Sequence, residues 1–285
     1  MARKQAASGY AGAGKDTEHG PRRITSRNHQ VVKEVRRLRR RTYRDRDGVF
    51  LVEGPNLLNE AANSGATIEE IVFVSGRATE ARLLGGTQPR PPVAYEISDE
   101  LLGWVSDVVT SQGILGVVRQ LDEQFSEFEG RDTPLLLVAN QVRDPGNLGA
   151  LLRIADAAGT SGFVTTRGCV DLYNPKVVRA AAGSHFHMPL VRDLEMAELV
   201  AGLGRKGVVT VGLDAHRGTN YLDVDLREAT AVLVGNEAFG FDQADRDLID
   251  KLVCIEMPGK AESLNVASSA AIVMFEALRQ RRFGS

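Results

Sequence analysis

The chain has 285 residues, of which 43% are hydrophobic and 25% are charged. These values are typical of a globular protein of about two domains. No run approaches the ~20 apolar residues of a membrane helix, and the first residues lack the apolar core of a signal peptide, so we expect a cytoplasmic protein with no membrane partner. The two cysteines, Cys169 and Cys254, form no CxxC pair, which argues against a disulfide framework and a zinc site.

The formal net charge of −2 hides an uneven distribution of charge. Residues 1–47 contain 14 Lys or Arg and 5 Asp or Glu, whereas the remainder contains 21 and 32. A basic segment ahead of a mildly acidic body indicates a surface that contacts RNA or DNA. A solvated helix face with a disordered tail explains the same charges, and charge alone leaves both interpretations open.

The first part of the chain predicts a tail followed by a small α/β domain. Residues 1–23 are rich in glycine, alanine and charge without periodicity, which predicts disorder. Residues 28–44 carry a thin apolar stripe among arginines, which is typical of a helix that packs by that stripe. Short apolar strands then alternate with helices, so residues 24–120 are predicted to form one domain. The candidate RNA-binding residues of the arginine-rich helix are Arg36, Arg37, Arg39, Arg40 and Arg41.

A second α/β region follows an acidic segment at residues 121–133, which contains no strong apolar run and is predicted to be a linker. The region spans residues 134–285 and begins with the run Leu-Leu-Leu-Val at 135–138, typical of a strand buried on both faces of a parallel sheet. Further strands alternate with helices up to a last helix at about 265–281. We therefore predict an α/β fold with helices on both faces of a mostly parallel sheet.

Three polar segments that contain glycine follow buried strands, where α/β sheets usually bind ligands. The first is Asn-Gln-Val-Arg-Asp-Pro-Gly-Asn-Leu-Gly-Ala-Leu-Leu-Arg at 140–153, in which Asn147 is the expected N-cap of a helix and Arg153 lies almost two turns into it. The second is Gly-Asn-Glu-Ala-Phe-Gly-Phe at 235–241. The third is Met-Pro-Gly-Lys-Ala-Glu-Ser-Leu-Asn-Val-Ala-Ser at 257–268. Each segment alone has a structural explanation as a helix cap or a turn.

Together, the three segments closely resemble the motifs of the SpoU branch of the SPOUT methyltransferases. The resemblance is strong over residues 135–283 and weaker over 24–120, which look like the small RNA-binding domain that often precedes the catalytic domain. The third motif often has Ser where Ala267 stands, a mild departure. The resemblance implies a trefoil-knotted, parallel-sheet catalytic domain at 134–285, preceded by a smaller α/β domain that binds the RNA substrate.

The same resemblance implies the reaction and the residues that serve it. Members of this branch transfer a methyl group from S-adenosylmethionine to a ribose 2′-hydroxyl and pair as homodimers, and we expect ribosomal RNA, large-subunit rRNA first, as the substrate. The implied cofactor contacts are Gly235, Ile255, Met257 and Leu264. The implied catalytic or RNA-orienting residues are Asn147, Arg153, Glu237, Ser263 and Asn265. Because an arginine has a pKa above ~12, we expect Arg153 to bind phosphate and stabilise developing alkoxide charge rather than act as a base.

Two other functions remain open at this point. The first is the same reaction on transfer RNA, although transfer-RNA members of this branch often lack the N-terminal domain. The second is a catalytically idle RNA-binding or ribosome-assembly protein, against which the intact set of motif residues argues.

Other candidate residues have structural explanations that we favour. His185 and His187 would face the same way on a strand, but no third ligand is near them in sequence, so we expect no metal. Tyr43, Phe50 and Trp104 either stack on bases or, as we favour, pack in the core or at its rim.

Overall fold

A computed structural model describes residues 20–108, 110–125 and 133–284. The described chain divides into two compact units, of which the first contains residues 20–121 with 173–179 and the second contains 122–172 with 180–284. Most of the predicted tail, residues 1–19, and residues 126–132 of the predicted linker lie outside the described residues. The last residues of the predicted tail, Arg22–Arg23, form a short strand.

The first unit is built on a mixed five-stranded sheet. Its strands are β1 (Arg22–Arg23), β2 (Val49–Glu53), β3 (Ile68–Phe73), β4 (Val93–Glu96) and β5 (Ile114–Arg119). They lie in the order β1-β4-β3-β5-β2, in which β5 is antiparallel to β2 and β3 and the other pairs are parallel. Its helices are α1 (Gln30–Arg37), α2 (Arg41–Asp47), α3 (Pro55–Asn63), α4 (Ala78–Thr87) and α5 (Asp99–Val105). The predicted α/β character of this part of the chain is confirmed.

The arginine-rich segment forms two helices, so the prediction of one helix over residues 28–44 is wrong. Helix α1 ends at Arg37, and α2 begins after Arg40, whose backbone is extended at φ −101° and ψ 133°. The buried Arg44 donates a hydrogen bond from Nη1 to the carbonyl oxygen of Leu38 at 2.7 Å, and the Leu38 side chain is fully buried. This contact satisfies a carbonyl that the end of α1 leaves free, which accounts for the break.

The second unit contains a seven-stranded sheet. Its strands are β6 (Leu135–Ala139), β7 (Gly162–Thr166), β8 (Leu190–Leu194), β9 (Val209–Leu213), β10 (Thr219–Asn220), β11 (Thr230–Val234) and β12 (Lys251–Cys254). They lie in the order β10-β12-β9-β11-β6-β7-β8, and all pairs are parallel. Every residue of β6, β7 and β11 is buried, as the apolar runs predicted. The expected parallel sheet is confirmed.

The helices of the second half of the chain are α6 (Pro145–Ala157), α7 (Pro175–Ala181), α8 (Met196–Arg205), α9 (Gln243–Leu248) and α10 (Val266–Phe283). The expected N-cap at Asn147 is wrong, because α6 begins at Pro145 and Asp144 is its cap. The Asp144 carboxylate accepts a hydrogen bond from the backbone N–H of Asn147 at 2.8 Å. Proline suits the first helical position, since its fixed φ is helical and its missing N–H would lack a partner there.

The histidine pair takes a structural role in a 3₁₀ turn at Ser184–Phe186 and not on a strand. His185 is buried with Nε2 2.8 Å from the carbonyl oxygen of Leu172, and burial lowers its pKa to about 4. His187 is bonded through Nδ1 to Asp156 at 2.7 Å. Across the described ranges, no group of three or more His, Cys, Asp or Glu is placed to hold a metal ion, and none of the helices there has the length and apolar character needed to cross a membrane.

Arg281, near the end of α10, bonds to carbonyl groups of two other segments of the second unit. Arg281 donates hydrogen bonds to the carbonyl oxygens of Thr133 at 2.7 Å, of Leu226 at 2.8 Å and of Glu228. Its neighbour Arg282 is exposed and makes no hydrogen bond or ion pair with any described residue. A comparison of variants at Arg281 and Arg282 therefore separates the effect of the Arg281 hydrogen bonds from the effect of positive charge at the end of α10.

We expect Arg281→Ala to lower the free energy of unfolding by about 2–3 kcal/mol, because charge-assisted hydrogen bonds are lost. The melting temperature should fall by roughly 4–10 °C in a thermal unfolding experiment. Arg282→Ala is the matched control and should melt with the wild type. Equal melting temperatures for the two variants would contradict the structural role of Arg281.

Candidate functional site

A cavity of about 370 Å³ lies in the second unit, beyond the carboxyl ends of β9, β11 and β12. The second and third polar segments both contribute to its wall. All four residues that the sequence suggested as cofactor contacts line it, and so do two of the candidate catalytic residues; these six are Gly235, Glu237, Ile255, Met257, Ser263 and Leu264. The edge of the sheet that the loop argument selected is therefore the edge that carries the cavity.

The second segment is a tight turn that folds back on itself. Asn236 and Gly240 exchange two backbone hydrogen bonds of 2.9 Å, and Gly240 has a positive φ of 64°. A Cβ atom on Gly235 would lie 2.5 Å from the carbonyl carbon of Gly240. Glycine is therefore required at position 235, because only a residue without a Cβ lets the backbone of Gly240 come this close and the turn close.

Glu237, within this turn, contacts the first segment. Its carboxylate accepts hydrogen bonds from the backbone N–H of Arg143 at 3.2 Å, the backbone N–H of Asp144 at 3.0 Å and Nδ2 of Asn147 at 3.2 Å. Desolvation raises the pKa of Glu237, but these donors outweigh it and the net pKa is lowered. The carboxylate also lies at the N-terminal end of α6, where the helix dipole favours negative charge. Glu237 is therefore ionised at neutral pH.

Asn147 joins the first segment to the third. Its Oδ1 accepts a hydrogen bond from Nδ2 of Asn265 at 2.9 Å, and Oδ1 of Asn265 caps α10 by accepting from the backbone N–H of Ala267 at 2.9 Å. A continuous path of hydrogen bonds thus runs from Glu237 through Asn147 to Asn265. The three segments, which are distant in sequence, meet through these three candidate residues.

A buried layer of polar groups supports the turn from beneath. Asn140 is buried, and its Nδ2 donates to the Asp245 carboxylate at 2.7 Å while its Oδ1 accepts from the Thr166 hydroxyl at 2.6 Å. Nδ2 of Asn236 donates to the carbonyl oxygen of Gln141 at 3.0 Å, and Gln141 itself has a positive φ of 54°. Satisfied buried networks of this kind hold loops in one conformation.

The structure does not bring every candidate residue to the cavity wall. Asn147 and Asn265 are connected to Glu237 but do not line the cavity. Arg153 lies on α6, is exposed, and has no hydrogen bond or ion pair with another described residue. Ser263 is exposed at the wall.

Residues of a fourth loop, which the sequence analysis missed, also line the cavity. Asp214, His216 and Arg217 follow β9, and Asp214 accepts from the backbone N–H groups of His216 at 2.9 Å and Arg217 at 3.1 Å. Arg246 of α9 lies 3.4 Å from the Asp214 carboxylate. The rule that led to the other three segments applies here too, because β9 is a strand of the same parallel sheet.

A basic depression of about 610 Å³ lies in the first unit, described by itself. It is lined by Lys33, Arg36, Arg37, Arg39, Arg40, Tyr43 and Trp104. Four of the five candidate RNA-binding arginines are in this set; the fifth, Arg41, pairs with Asp45 at 3.1 Å outside it. Phe50 is in the core, with its ring 4.7 Å from that of Tyr173, so packing is the right interpretation for Phe50.

The cations of this depression differ in their partners. Arg37 pairs with Asp47 at 3.2 Å, and Arg39 pairs with Asp107 at 2.6 Å. The Arg36 guanidinium lies 3.8 Å from the centre of the Trp104 ring and has no acidic partner among the described residues. The side chains of Lys33 and Arg40 have no partner there either.

Comparison with protein families identifies both halves of the chain. The sequence model of the SpoU rRNA Methylase family matches residues 134–275. The model of the MRM3-like substrate binding domain matches residues 28–116. The three polar segments lie within the first match, and the arginine-rich segment lies within the second.

Similar proteins match over almost their whole length. The 23S rRNA (guanosine(2553)-2'-O)-methyltransferase RlmP of Bacillus subtilis is 34% identical, over 89% of this chain and 98% of the relative. The 23S rRNA (uridine(2479)-2'-O)-methyltransferase of Streptomyces viridochromogenes is 32% identical, over 92% of this chain and 94% of the relative.

The crystal structure of the SpoU methyltransferase AviRb from Streptomyces viridochromogenes in complex with the cofactor AdoMet is similar with a TM-score of 0.83 and 30% identity, covering 90% of this chain and all of that one. The AdoMet-bound rRNA methyltransferase of Sinorhizobium meliloti gives a TM-score of 0.83 at 26% identity, covering 93% of this chain and 99% of that one. With its sheet, its three joined motif segments and relatives that match from end to end, this chain belongs to the SpoU rRNA methylase family.

Proposed function

We propose that the protein methylates a ribose 2′-hydroxyl of large-subunit ribosomal RNA with S-adenosylmethionine as the methyl donor. The observation that carries this proposal is the hydrogen-bonded path from Glu237 through Asn147 to Asn265, which joins three motif segments beside one cavity. The names of the relatives from Bacillus subtilis and Streptomyces viridochromogenes support the choice of 23S rRNA. The match to a substrate binding domain supports an RNA-binding role for the first unit.

The cavity suits this cofactor in size and chemistry. Its volume of about 370 Å³ lies in the range of roughly 300–1,000 Å³ of small-molecule pockets. Apolar side chains such as Ile255 and Leu264 suit the adenine ring, and Gly235 contributes backbone to the cavity wall. The carboxylates of Asp214 and Glu237 suit a ligand that carries a sulfonium and an ammonium group. Gly235, Ile255, Met257 and Leu264 would hold the cofactor.

The chain's own residues align the RNA and stabilise charge. When bound, S-adenosylmethionine would supply an electrophilic methyl group on positive sulfur; transfer to the ribose oxygen would break the carbon–sulfur bond and release the hydroxyl proton to solvent water. Arg153 binds the adjacent phosphate and stabilises the negative charge that develops on the oxygen as this proton leaves. Its side chain is exposed and makes no hydrogen bond or ion pair with a described residue, so its guanidinium is available for that role.

Glu237 orients its neighbours and does not take the proton in this proposal. Its lowered pKa makes it a weak base. It holds the start of α6 and Asn147 in place, and Asn265 extends the same arrangement to α10. Ser263 is exposed at the cavity wall, where it can donate a hydrogen bond to bound RNA or cofactor.

The basic depression captures RNA before the reaction. Arg36 and Arg40, with Lys33 beside them, have no acidic partner among the described residues and therefore offer their charge to phosphates. Arg37 and Arg39 are held by carboxylates and add to the potential of the depression, whereas Arg41 pairs with Asp45 outside it. We place the domain boundaries at 24–120 and 134–285, with a linker between them.

The family resemblance supports three further parts of the proposal. They are a trefoil knot in the second unit, a homodimer, and action in the cytoplasm, where bacterial ribosomal RNA is made. None of the three enters the argument about the site, which depends only on contacts within one chain.

Methyl transfer to RNA is the direct test of the proposed function. Labelled S-adenosylmethionine and unmodified transcripts of 23S rRNA, 16S rRNA and transfer RNA are incubated separately with the full chain. We expect incorporation into 23S rRNA that alkaline hydrolysis locates on a ribose. Incorporation only into transfer RNA would select the alternative substrate, and no incorporation into any RNA would indicate an idle binding protein.

We expect Arg153→Ala to lower kcat about 100-fold or more, as the loss of a charge-stabilising donor does. The dissociation constant of S-adenosylmethionine, measured by calorimetry, should stay within twofold because Arg153 does not line the cavity. Arg205→Ala, which removes another exposed arginine of the second unit, is the control and should keep full activity. A turnover of Arg153→Ala within a few-fold of wild type would show that the assignment is wrong.

Glu237→Gln should lower both turnover and stability, because its amide keeps only one acceptor oxygen and turns an NH2 donor toward the N–H group of either Arg143 or Asp144, which bond to different carboxylate oxygens. Since the folded pKa of Glu237 is lowered, its carboxylate stabilises the fold above the unfolded pKa of about 4.3, and this contribution is lost as the pH falls through the folded pKa. The difference in melting temperature between wild type and variant should thus be largest near neutral pH and shrink below about pH 4. A difference that does not change with pH would contradict the ionised state of Glu237.

Arg40→Ala should weaken RNA binding and reduce the slope of log K against log salt by about 0.7–0.9, the value for one phosphate contact. Arg41→Ala is the matched control, since Arg41 pairs with Asp45 outside the depression. Filter binding of 23S rRNA at several salt concentrations measures both slopes. If the two variants change the slope equally, the depression is not the main RNA contact.

A further inference from the structure

Phe239 is a large aromatic residue at the edge of the active-site cavity. It lines the cavity, yet 86% of its surface is exposed, the highest value for a large hydrophobic residue among those described. Phe241, two residues later, is buried in the core. Core packing therefore accounts for Phe241 and leaves Phe239 unexplained, although leaving a phenylalanine in water forgoes the gain from its burial.

The turn that carries Phe239 is held rigidly. Oδ1 of Asn236 accepts from the backbone N–H groups of Ala238 at 3.0 Å and of Phe239 at 3.3 Å. Two backbone hydrogen bonds between Asn236 and Gly240 close the turn that contains Phe239. Phe239 is thus presented to solvent by a fixed backbone and is not a side chain on a loose loop.

Two exposed polar side chains of the loop after β9 lie on another part of the same wall. His216 and Arg217 line the cavity, are exposed, and have no side-chain partner among the described residues. Asp214 holds their backbone through two hydrogen bonds, so the loop that bears them is also fixed. A guanidinium group and an exposed aromatic ring on the wall of one cavity are groups that can recognise a nucleotide, because the ring stacks on a base and the guanidinium pairs with a phosphate.

We propose that Phe239 and Arg217 bind an unpaired nucleotide of the RNA substrate, with the base stacked on Phe239 and a phosphate paired with Arg217. This inference rests on the proposed methylation of RNA and adds that the enzyme selects nucleotides whose base is free to leave the helix. A ribose whose base stays stacked in a duplex would not satisfy both contacts. The surroundings of Phe239 favour RNA over a second copy of the chain, since Glu237, Ala238 and Gly240 do not form the apolar patch that a subunit interface needs.

The test compares Phe239→Ala, Phe239→Leu and Phe239→Trp in the full chain, with Phe283→Ala as the control. Phe283 is also exposed, at 77%, but lies at the end of α10 and does not line the cavity. Methylation kinetics and filter binding both use unmodified 23S rRNA transcript. Calorimetry with S-adenosylmethionine and light scattering report on the cofactor and the oligomeric state of each variant.

We expect Phe239→Ala and Phe239→Leu to lower kcat/KM for RNA about tenfold or more, the effect of losing one base stack. Phe239→Trp should retain activity, because a larger ring stacks at least as well, and Phe283→Ala should match the wild type. Arg217→Ala should lower kcat/KM for RNA and reduce the salt dependence of binding by about one phosphate contact. The cofactor dissociation constant and the oligomeric state should not change.

Three outcomes would overturn the proposal. Activity of Phe239→Leu equal to that of Phe239→Trp would show that stacking is not involved. A weaker cofactor affinity of Phe239→Ala would assign the ring to the adenine instead, and a change in oligomeric state would assign it to a subunit contact. If the wild type methylates no RNA, the proposed function fails, and the RNA dissociation constants of the same variants still decide whether Phe239 and Arg217 bind RNA.

Discussion

The carboxylate of Glu237 is the contact on which the arrangement of the three motif segments depends. It brings an ionised group from the turn after β11 to the N-terminal end of α6, where the N–H groups of Arg143 and Asp144 would otherwise lack partners. The same carboxylate positions Asn147, which in turn holds Asn265 at the start of α10. The turn after β11 and the helices α6 and α10 are therefore joined through the Glu237 carboxylate. An amide in its place would turn an NH2 group toward a donor.

The contact between Glu237 and the start of α6 depends on the sheet from which both segments emerge. Strands β6 and β11 are neighbours, fully buried and in register along their whole length, so the segments that follow them leave the sheet side by side. Asn140, at the end of β6, is fixed by Thr166 and Asp245, and the turn after β11 is tied back to Gln141. The apolar strands supply the platform, and the polar network sets the loop conformations above it.

Sequence patterns predicted the parts of this structure that depend on local chemistry. The buried run at β6, the parallel sheet and the last helix followed from apolar patterning, and the choice of loops followed from their position after strands. The break between α1 and α2 did not, because it depends on the buried Arg44 reaching the carbonyl oxygen of Leu38, a contact that no periodicity encodes. The path from Glu237 to Asn265 was equally hidden, since its members are separated by 90 and 118 residues along the chain. The family resemblance grouped these residues, and only coordinates give the bonds between them.

The two ends of the proposed reaction make different demands on the chain. A cofactor that is the same in every turnover suits a cavity built from glycine backbone and apolar side chains, fixed by hydrogen bonds before anything binds. An RNA strand must be bound from solution, moved and released. Exposed side chains without an ionic partner or a packed ring face suit this task, such as Arg40 in the first unit and Arg217 and Phe239 in the second. Arg153 belongs with this second group by its exposure, although it is proposed to act on the reacting oxygen. In that proposal the RNA completes the geometry around Arg153, because the guanidinium stabilises charge on the reacting oxygen only when a phosphate beside the ribose has positioned it.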